Sequence, residues 1–266
     1  MKRIIPFIFL FFGCSSKDKP NEVVGMQLAP QPSSSIAQVS QNIPKEKVEA
    51  EPCPSGMVHV VGKFCTKSEK KCIKWLEPPE KYPRARCKEF AKSKCIGDRI
   101  EMNYCIDAEE FTYPSEDVPA SNITWDKSKE LCESQGKKLC TEPEWQFACE
   151  GEDILPYPTG YIRPTGICHI DEESGNVCGK TLCDKRATIK EYPMCLSPFK
   201  VHNMVGNVDE WVSSPMYAHS KNPKLFMPSI LKGGHWLPIR AQCSPKTQDH
   251  ENHVFSQVSI GTRCCK

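Results

Sequence analysis

The chain has 266 residues, 35 Lys and Arg against 33 Asp and Glu, 23 Pro and 17 Cys, with 39% hydrophobic residues. The near-zero charge balance leaves no basic stripe for nucleic acid and no acidic tail for sequestering cations. So many cysteines exclude an ordinary reducing cytosolic protein, and the absence of any C-x2-C pair excludes a zinc ribbon, so disulfides in an exported protein are expected.

Residues 1–14 read as an export signal: Lys2 and Arg3 precede a short apolar run, Ile4 to Phe12, too short for a stable membrane span. Leu10-Phe11-Phe12-Gly13-Cys14 is similar to a bacterial lipobox, with Phe11 where Leu is usual; an ordinary cleaved signal is the competing reading. Removing Cys14 leaves 16 cysteines, an even number, which favours Cys14 as a lipidation site. Residues 15–50, rich in Ser, Pro, Gln and Lys, read as a disordered tether.

A globular domain is expected over 53–266. Gly56 to Cys65 alternates and is bounded by glycine, which predicts a strand. Residues 66–100, with Cys72, Cys87 and Cys95, read as a Cys-rich insertion containing a short amphipathic turn at Lys71 to Leu76, followed by a strand from Met102 to Ile106. A helix over about Asp126 to Gln135 has Thr124 near its N-cap and Gly136 as its stop. Thr141-Glu142-Pro143-Glu144 is a capping box that starts a second helix, with Trp145, Ala148 and Cys149 on one face. Residues 151–200 are turn-like. Short apolar pieces follow at Met204 to Val212, Ile230 to Trp236 and Val258 to Cys265.

Several ordered blocks then match one family. They include Tyr104-Cys105-Ile106-Asp107 with Glu110-Phe111-Thr112, Ile123-Thr124-Trp125, and Gly136-Lys137-Lys138-Leu139-Cys140-Thr141-Glu142-Pro143-Glu144-Trp145. Next come Met204-Val205-Gly206-Asn207-Val208-Asp209-Glu210-Trp211, Leu231-Lys232-Gly233-Gly234-His235-Trp236 and Ile260-Gly261-Thr262-Arg263-Cys264. Over residues 53–266 the chain resembles the sulfatase-modifying-factor, or formylglycine-generating-enzyme, domain family in its exported, lipoprotein-type, Cys-rich form. The resemblance implies an α+β fold, C-type-lectin-like, loop-rich and disulfide-stapled.

It also implies what chemistry to look for. Enzymes of the family oxidise a substrate cysteine with oxygen and copper, using two cysteines just after the Gly-Gly motif; paired thiolates suit Cu(I). Here Pro238 stands in the first place and only Cys243 remains, so copper is not expected. The family's bridges, carried over, give Cys149–Cys243 and Cys132–Cys264, with Cys265 as an alternative to Cys264. Its Ca2+ ligands fall on Asn203, Gly206, Val208 and Glu210. The competing reading has Asn203 shaping a turn and Glu210 in a structural ion pair, and both stay open. His250 to His253 offers H-x-x-H, but its polar setting reads as a solvated loop. Trp125, Trp145, Trp211 and Trp236 are expected in the core, and His235 in the core or a groove.

The reading that results is a non-catalytic binding or structural module of a bacterial cell envelope. Its partners would be a membrane, through the N-terminal lipid, and an envelope protein or glycan, without nucleic acid. The alternatives are a divergent formylglycine-generating oxidase and a Ca-dependent glycan-binding module.

Overall fold

The computed structural model describes residues 52–81, 86–173, 175–214, 229–238, 241–244, 248–249 and 253–266. The expected signal, Cys14, the tether and His250 lie outside the described residues. Strand β1 (Met57–Cys65) opens the fold, and β2 (Ser68–Glu69), β3 (Cys72–Trp75), β4 (Cys87–Phe90) and β5 (Lys94–Cys95) follow as nested hairpins. Strand β6 (Arg99–Asp107) pairs with the whole length of β1, from Met57 opposite Asp107 to Cys65 opposite Arg99. The Lys71 to Leu76 stretch is thus an extended strand rather than an amphipathic turn. It pairs with β4 in an irregular register and is bridged to it through Cys72–Cys87, so covalent and backbone pairing set its conformation rather than a buried face.

Helix α1 (Trp125–Ser134) is capped by Thr124, whose hydroxyl accepts from the Lys127 amide at 3.1 Å. A two-residue strand β7 (Lys138–Leu139) leads into α2 (Glu142–Glu150). The Thr141–Glu144 capping box is fully formed, with the Thr141 amide donating to Glu144 Oε2 at 2.8 Å. It satisfies backbone donors that a helix start otherwise leaves unpaired. The turn-like 151–200 region contains one small hairpin, β8 (Val177–Cys178) with β9 (Thr181–Leu182).

The last third supplies β10 (Asp209–Ser213), β11 (Ser229–Lys232), β12 (Gln248–Asp249), β13 (Ile260–Thr262) and β14 (Cys264–Cys265). Two four-stranded sheets result, ordered β1-β6-β14-β7 and β12-β11-β10-β13. The main core lies around Val60, Phe64, Ile106, Trp145, Phe147 and Ile230, all at most 5% exposed. Trp145, Trp211 and Trp236 are fully buried, whereas Trp125 is half-buried and donates its indole N–H to the Val212 carbonyl. Among the described residues, no helix is long and apolar enough to cross a membrane.

Eight disulfides join all sixteen cysteines from Cys53 to Cys265. Cys264 bonds to Cys132 and its neighbour Cys265 to Cys140, so the C-terminus is clamped to α1 and to the start of α2.

Candidate functional site

The loop before β10 turns sharply because three of its residues are left-handed: Asn203 at φ 53°, Gly206 at 83° and Asn207 at 51°. Asparagine tolerates that region better than most side chains, and glycine is free to enter it. At Gly206 space imposes the same choice, since a Cβ would come within 2.4 Å of the His169 carbonyl oxygen. The turn buries Asn203 and Asn207 and aims both amides at Glu110, at the end of the segment that follows β6. The Asn203 and Asn207 Nδ2 groups donate to Glu110 Oε2 at 3.2 and 2.8 Å. Asn207 Oδ1 accepts from the Ala187 amide, which fixes that side chain's orientation.

Glu110 is 2% exposed, and burial, with Glu210 nearby, pushes its carboxyl pKa up to about 8. Glu110 Oε1 and Asn203 Oδ1 are buried acceptors without a hydrogen-bond partner among the described residues. Buried polar atoms are normally satisfied, so two orphaned oxygens around one desolvated carboxylate fit a hard, oxygen-seeking cation.

Glu210, which the sequence placed in the same ligand set, is otherwise engaged. Arg263 Nε donates to both of its oxygens at 3.1 Å and Nη2 to Oε1 at 2.9 Å. The Trp145 indole N–H adds a 2.6 Å bond to Oε2. Burial works against the Arg263 charge, but Glu210 above all holds its pKa above the ordinary value. The structure therefore brings Asn203 to Glu110 and commits Glu210 to an ion pair. Glu110, absent from the ligand set read from sequence, stands 93 residues from Asn203. Among the described residues, no three His, Cys, Asp or Glu side chains are grouped to hold a metal by themselves. A cation here would lean on the Asn203 amide oxygen beside Glu110.

Beside this loop the Gly233-Gly234 turn passes close to the core. A Cβ at Gly233, whose φ is 90°, would lie 3.0 Å from the Met204 carbonyl oxygen and 3.2 Å from Trp145. The Gly234 amide donates to Asp209 Oδ1 at 3.0 Å, and His235 Nε2 lies 4.0 Å from Asp209 Oδ2. Cys243 is fully buried and bonded to Cys149 of α2. No described cysteine retains a thiol.

A second polar seam runs along α2 at four-residue spacing. Lys232 Nζ, fully buried, lies 3.7 Å from Glu142 and 3.3 Å from Gln146 Oε1. Gln146 donates to Glu150 at 3.2 Å. Lys70, from the 66–100 segment, closes the chain, 2.8 Å from Glu150 and 2.6 Å from Ser244. A cavity of about 380 Å³ opens there, lined by Ser68, Lys70, Phe90, Gln146, Gln242 and Ser244. The capping-box reading located α2 but missed this seam, because it assigned only the Trp145 face to the interior.

Residues 100–266 match the model of the sulfatase-modifying factor enzyme 1-like domain. The mouse (Mus musculus) formylglycine-generating enzyme is 24% identical over 166 residues, 55% of this chain and 43% of its own length. The hercynine oxygenase of Mycobacterium tuberculosis is 25% identical over 162 residues, 55% of this chain and 36% of its own length. The chain thus spans less than half the length of these relatives. The crystal structure of CarF superposes with a TM-score of 0.50 at 14% identity, covering 80% of this chain and 98% of CarF, a likeness of fold. With well over half its residues matched, on a disulfide-stapled α+β scaffold, the chain belongs to the sulfatase-modifying factor enzyme 1-like (formylglycine-generating-enzyme) domain family.

Proposed function

We propose that this chain is an exported family member, lipid-anchored at Cys14 and tethered through residues 15–50, that serves as a non-catalytic binding or structural module of the bacterial cell envelope. One observation carries the non-catalytic part. Cys243 is sealed in a buried bridge with Cys149, every other described cysteine is bridged too, and Pro238 has no ligand atom to offer. Thiolate, not disulfide, is what binds Cu(I) and attacks a substrate. The eight bridges support export, since such a number persists only in an oxidising compartment.

Asn203 and Glu110, with the carbonyls of Gly206 and Val208, would hold Ca2+, and Glu210 would contribute only alongside its ion pair with Arg263. The cation's contribution would be structural: it neutralises Glu110 and ties the loop before β10 to the segment after β6.

The decisive experiment incubates the purified chain with Cu(I), oxygen and a peptide carrying a sulfatase-type cysteine, with mass spectrometry of the peptide as readout. No formylglycine is expected. Its appearance would establish the divergent oxidase instead. Glycan-array binding that vanishes with EDTA would establish the Ca-dependent glycan-binding alternative.

A further inference from the structure

The whole-chain charge balance conceals a local one. Between 66 and 100 there are eleven Lys and Arg against five Asp and Glu, a balance of +6 in a chain whose total is +2. The few acids do not quench the lysines. Glu77 pairs with Arg86, and Lys70 is turned inward to Glu150. Lys71, Lys74, Lys88, Lys92 and Lys94 are exposed, and none forms an ion pair with a described residue.

The same segment concentrates exposed apolar side chains. Ile73 is 55% exposed, Trp75 43%, Leu76 42% and Ile96 55%, which makes it the densest run of such residues along the described chain. A segment that folded by burial would have hidden them. This one is stapled by Cys65–Cys95 and Cys72–Cys87 and paired as β2–β5 and β3–β4, so its shape does not depend on their burial. Backbone bonds from Ala91 to Lys71 and from Ile96 to Lys67 hold the two hairpins as one unit.

We propose that the stapled hairpins β2–β5 and β3–β4 dock the domain onto an anionic lipid surface, with Ile73, Trp75 and Leu76 entering the interface and the exposed lysines of the same hairpins meeting lipid phosphates. A linear polyanion would reward the lysines alone and leave the apolar side chains in water. An apolar partner protein would reward the reverse. An interface between anionic headgroups and acyl chains rewards both, and tryptophan favours that depth. Each lysine near such a surface contributes on the order of a fivefold gain in partitioning at physiological salt. The inference rests on the export reading for its setting, but its test needs only the protein and vesicles, so failure here leaves export untouched.

The experiment uses the full chain with vesicles of brominated phosphatidylcholine, with and without phosphatidylglycerol. Trp145, Trp211 and Trp236 are fully buried and Trp125 is half-buried with its indole bonded to the Val212 carbonyl, so Trp75 is the exposed indole, and the Trp75→Phe variant separates its quenching from that of Trp125. Quenching is expected on the anionic vesicles and not on the neutral ones. It should be weakened by 0.5 M salt, largely lost in Trp75→Phe, and need on the order of several hundredfold more lipid in the Lys71→Gln/Lys74→Gln/Lys88→Gln/Lys92→Gln variant. Unchanged melting of these surface variants verifies that the fold is intact. The proposal is overturned by equal quenching on both vesicles, which marks the N-terminal lipid acting alone. It is equally overturned by tight binding to polyphosphate or heparin without quenching on anionic vesicles, which marks a polyanion site.

Discussion

Two buried acids, Glu110 and Glu210, face one buried arginine, and that imbalance governs the site. Glu210 has taken Arg263, with three guanidinium contacts and the Trp145 indole. Breaking a buried pair from one side leaves a bare charge, so Arg263→Met should cost about 3–5 kcal/mol in urea denaturation. A loss below about 1 kcal/mol would mean that water replaces the arginine. Glu110 is left with two amide donors and a pKa raised from 4.5 to about 8 by burial. The native state then holds a proton that the unfolded chain releases, so stability falls as pH rises from about 4.5 to 8 and levels off above. Glu110→Gln should flatten that fall, by on the order of a few kcal/mol at pH 8 in EDTA. CaCl2 should raise the wild-type melting temperature at pH 8 and leave the Gln variant unmoved; an equal rise in both would place the cation elsewhere. The loop from Asn203 to Glu210 was legible because its residues are contiguous. Glu110 was not, because only the completed fold brings it to Asn203, and neither was the Arg263 partner of Glu210, which no spacing reveals.

Among the elements, α2 was the most legible, because a capping box is a local device: Thr141 and Glu144 satisfy each other's backbone groups whatever the rest of the chain does. The α2 face bearing Glu142, Gln146 and Glu150 carried no sequence signal of its own, yet Lys232 and Lys70 cover it. Lys232 makes a sharp test. Burial, opposed chiefly by Glu142, lowers its pKa from 10.5 to about 8. Below pH 8 it is charged in both states and the burial cost is felt in full. Between about 8 and 10.5 the native state sheds the proton first, so stability rises with pH. Relative to Lys232→Met, the wild type should therefore gain up to about 3 kcal/mol between pH 8 and 10, read from paired chemical denaturation curves. A constant difference across that range would mean that water or Glu142 keeps the amine at its ordinary pKa. Strand β3 marks the opposite limit of legibility. Ile73 and Trp75 alternate as in a strand but are exposed, so no buried face announced it, and its pairing depends on Cys72–Cys87 and the neighbouring hairpin.

Across the whole molecule, the two sheets share one apolar core, in which Val60 and Ile106 meet Val212 and Ile230, while the helices, loops and C-terminus are stapled around it by the bridges. Their connectivity cannot be deduced from cysteine spacing, because spacing carries no direction in space. Cys140–Cys265, which ties the start of α2 to the final strand, illustrates this: 125 residues separate its halves. Loop length gives these bridges unequal weight. Cys132–Cys264 closes a span of 132 residues and Cys178–Cys183 a span of 5. Taken as isolated loops the first would contribute about 5 kcal/mol and the second about 2 kcal/mol, but Cys140–Cys265 already shortens the first to about ten residues and its share to about 3 kcal/mol. The paired variants Cys132→Ala/Cys264→Ala and Cys178→Ala/Cys183→Ala leave no stray thiol and allow a direct comparison of urea midpoints. The long-span pair should lose more, and in addition loosen the C-terminus from α1, so that proteolysis near Arg263 becomes faster. Cys132 and Cys264 are fully buried, whereas the short bridge joins buried Cys183 to exposed Cys178, so packing acts in the same direction as loop length. Equal losses from the two pairs would therefore contradict both mechanisms at once. That result would mean that the clamp on the C-terminus is maintained by Cys140–Cys265 alone, with Cys132–Cys264 redundant beside it.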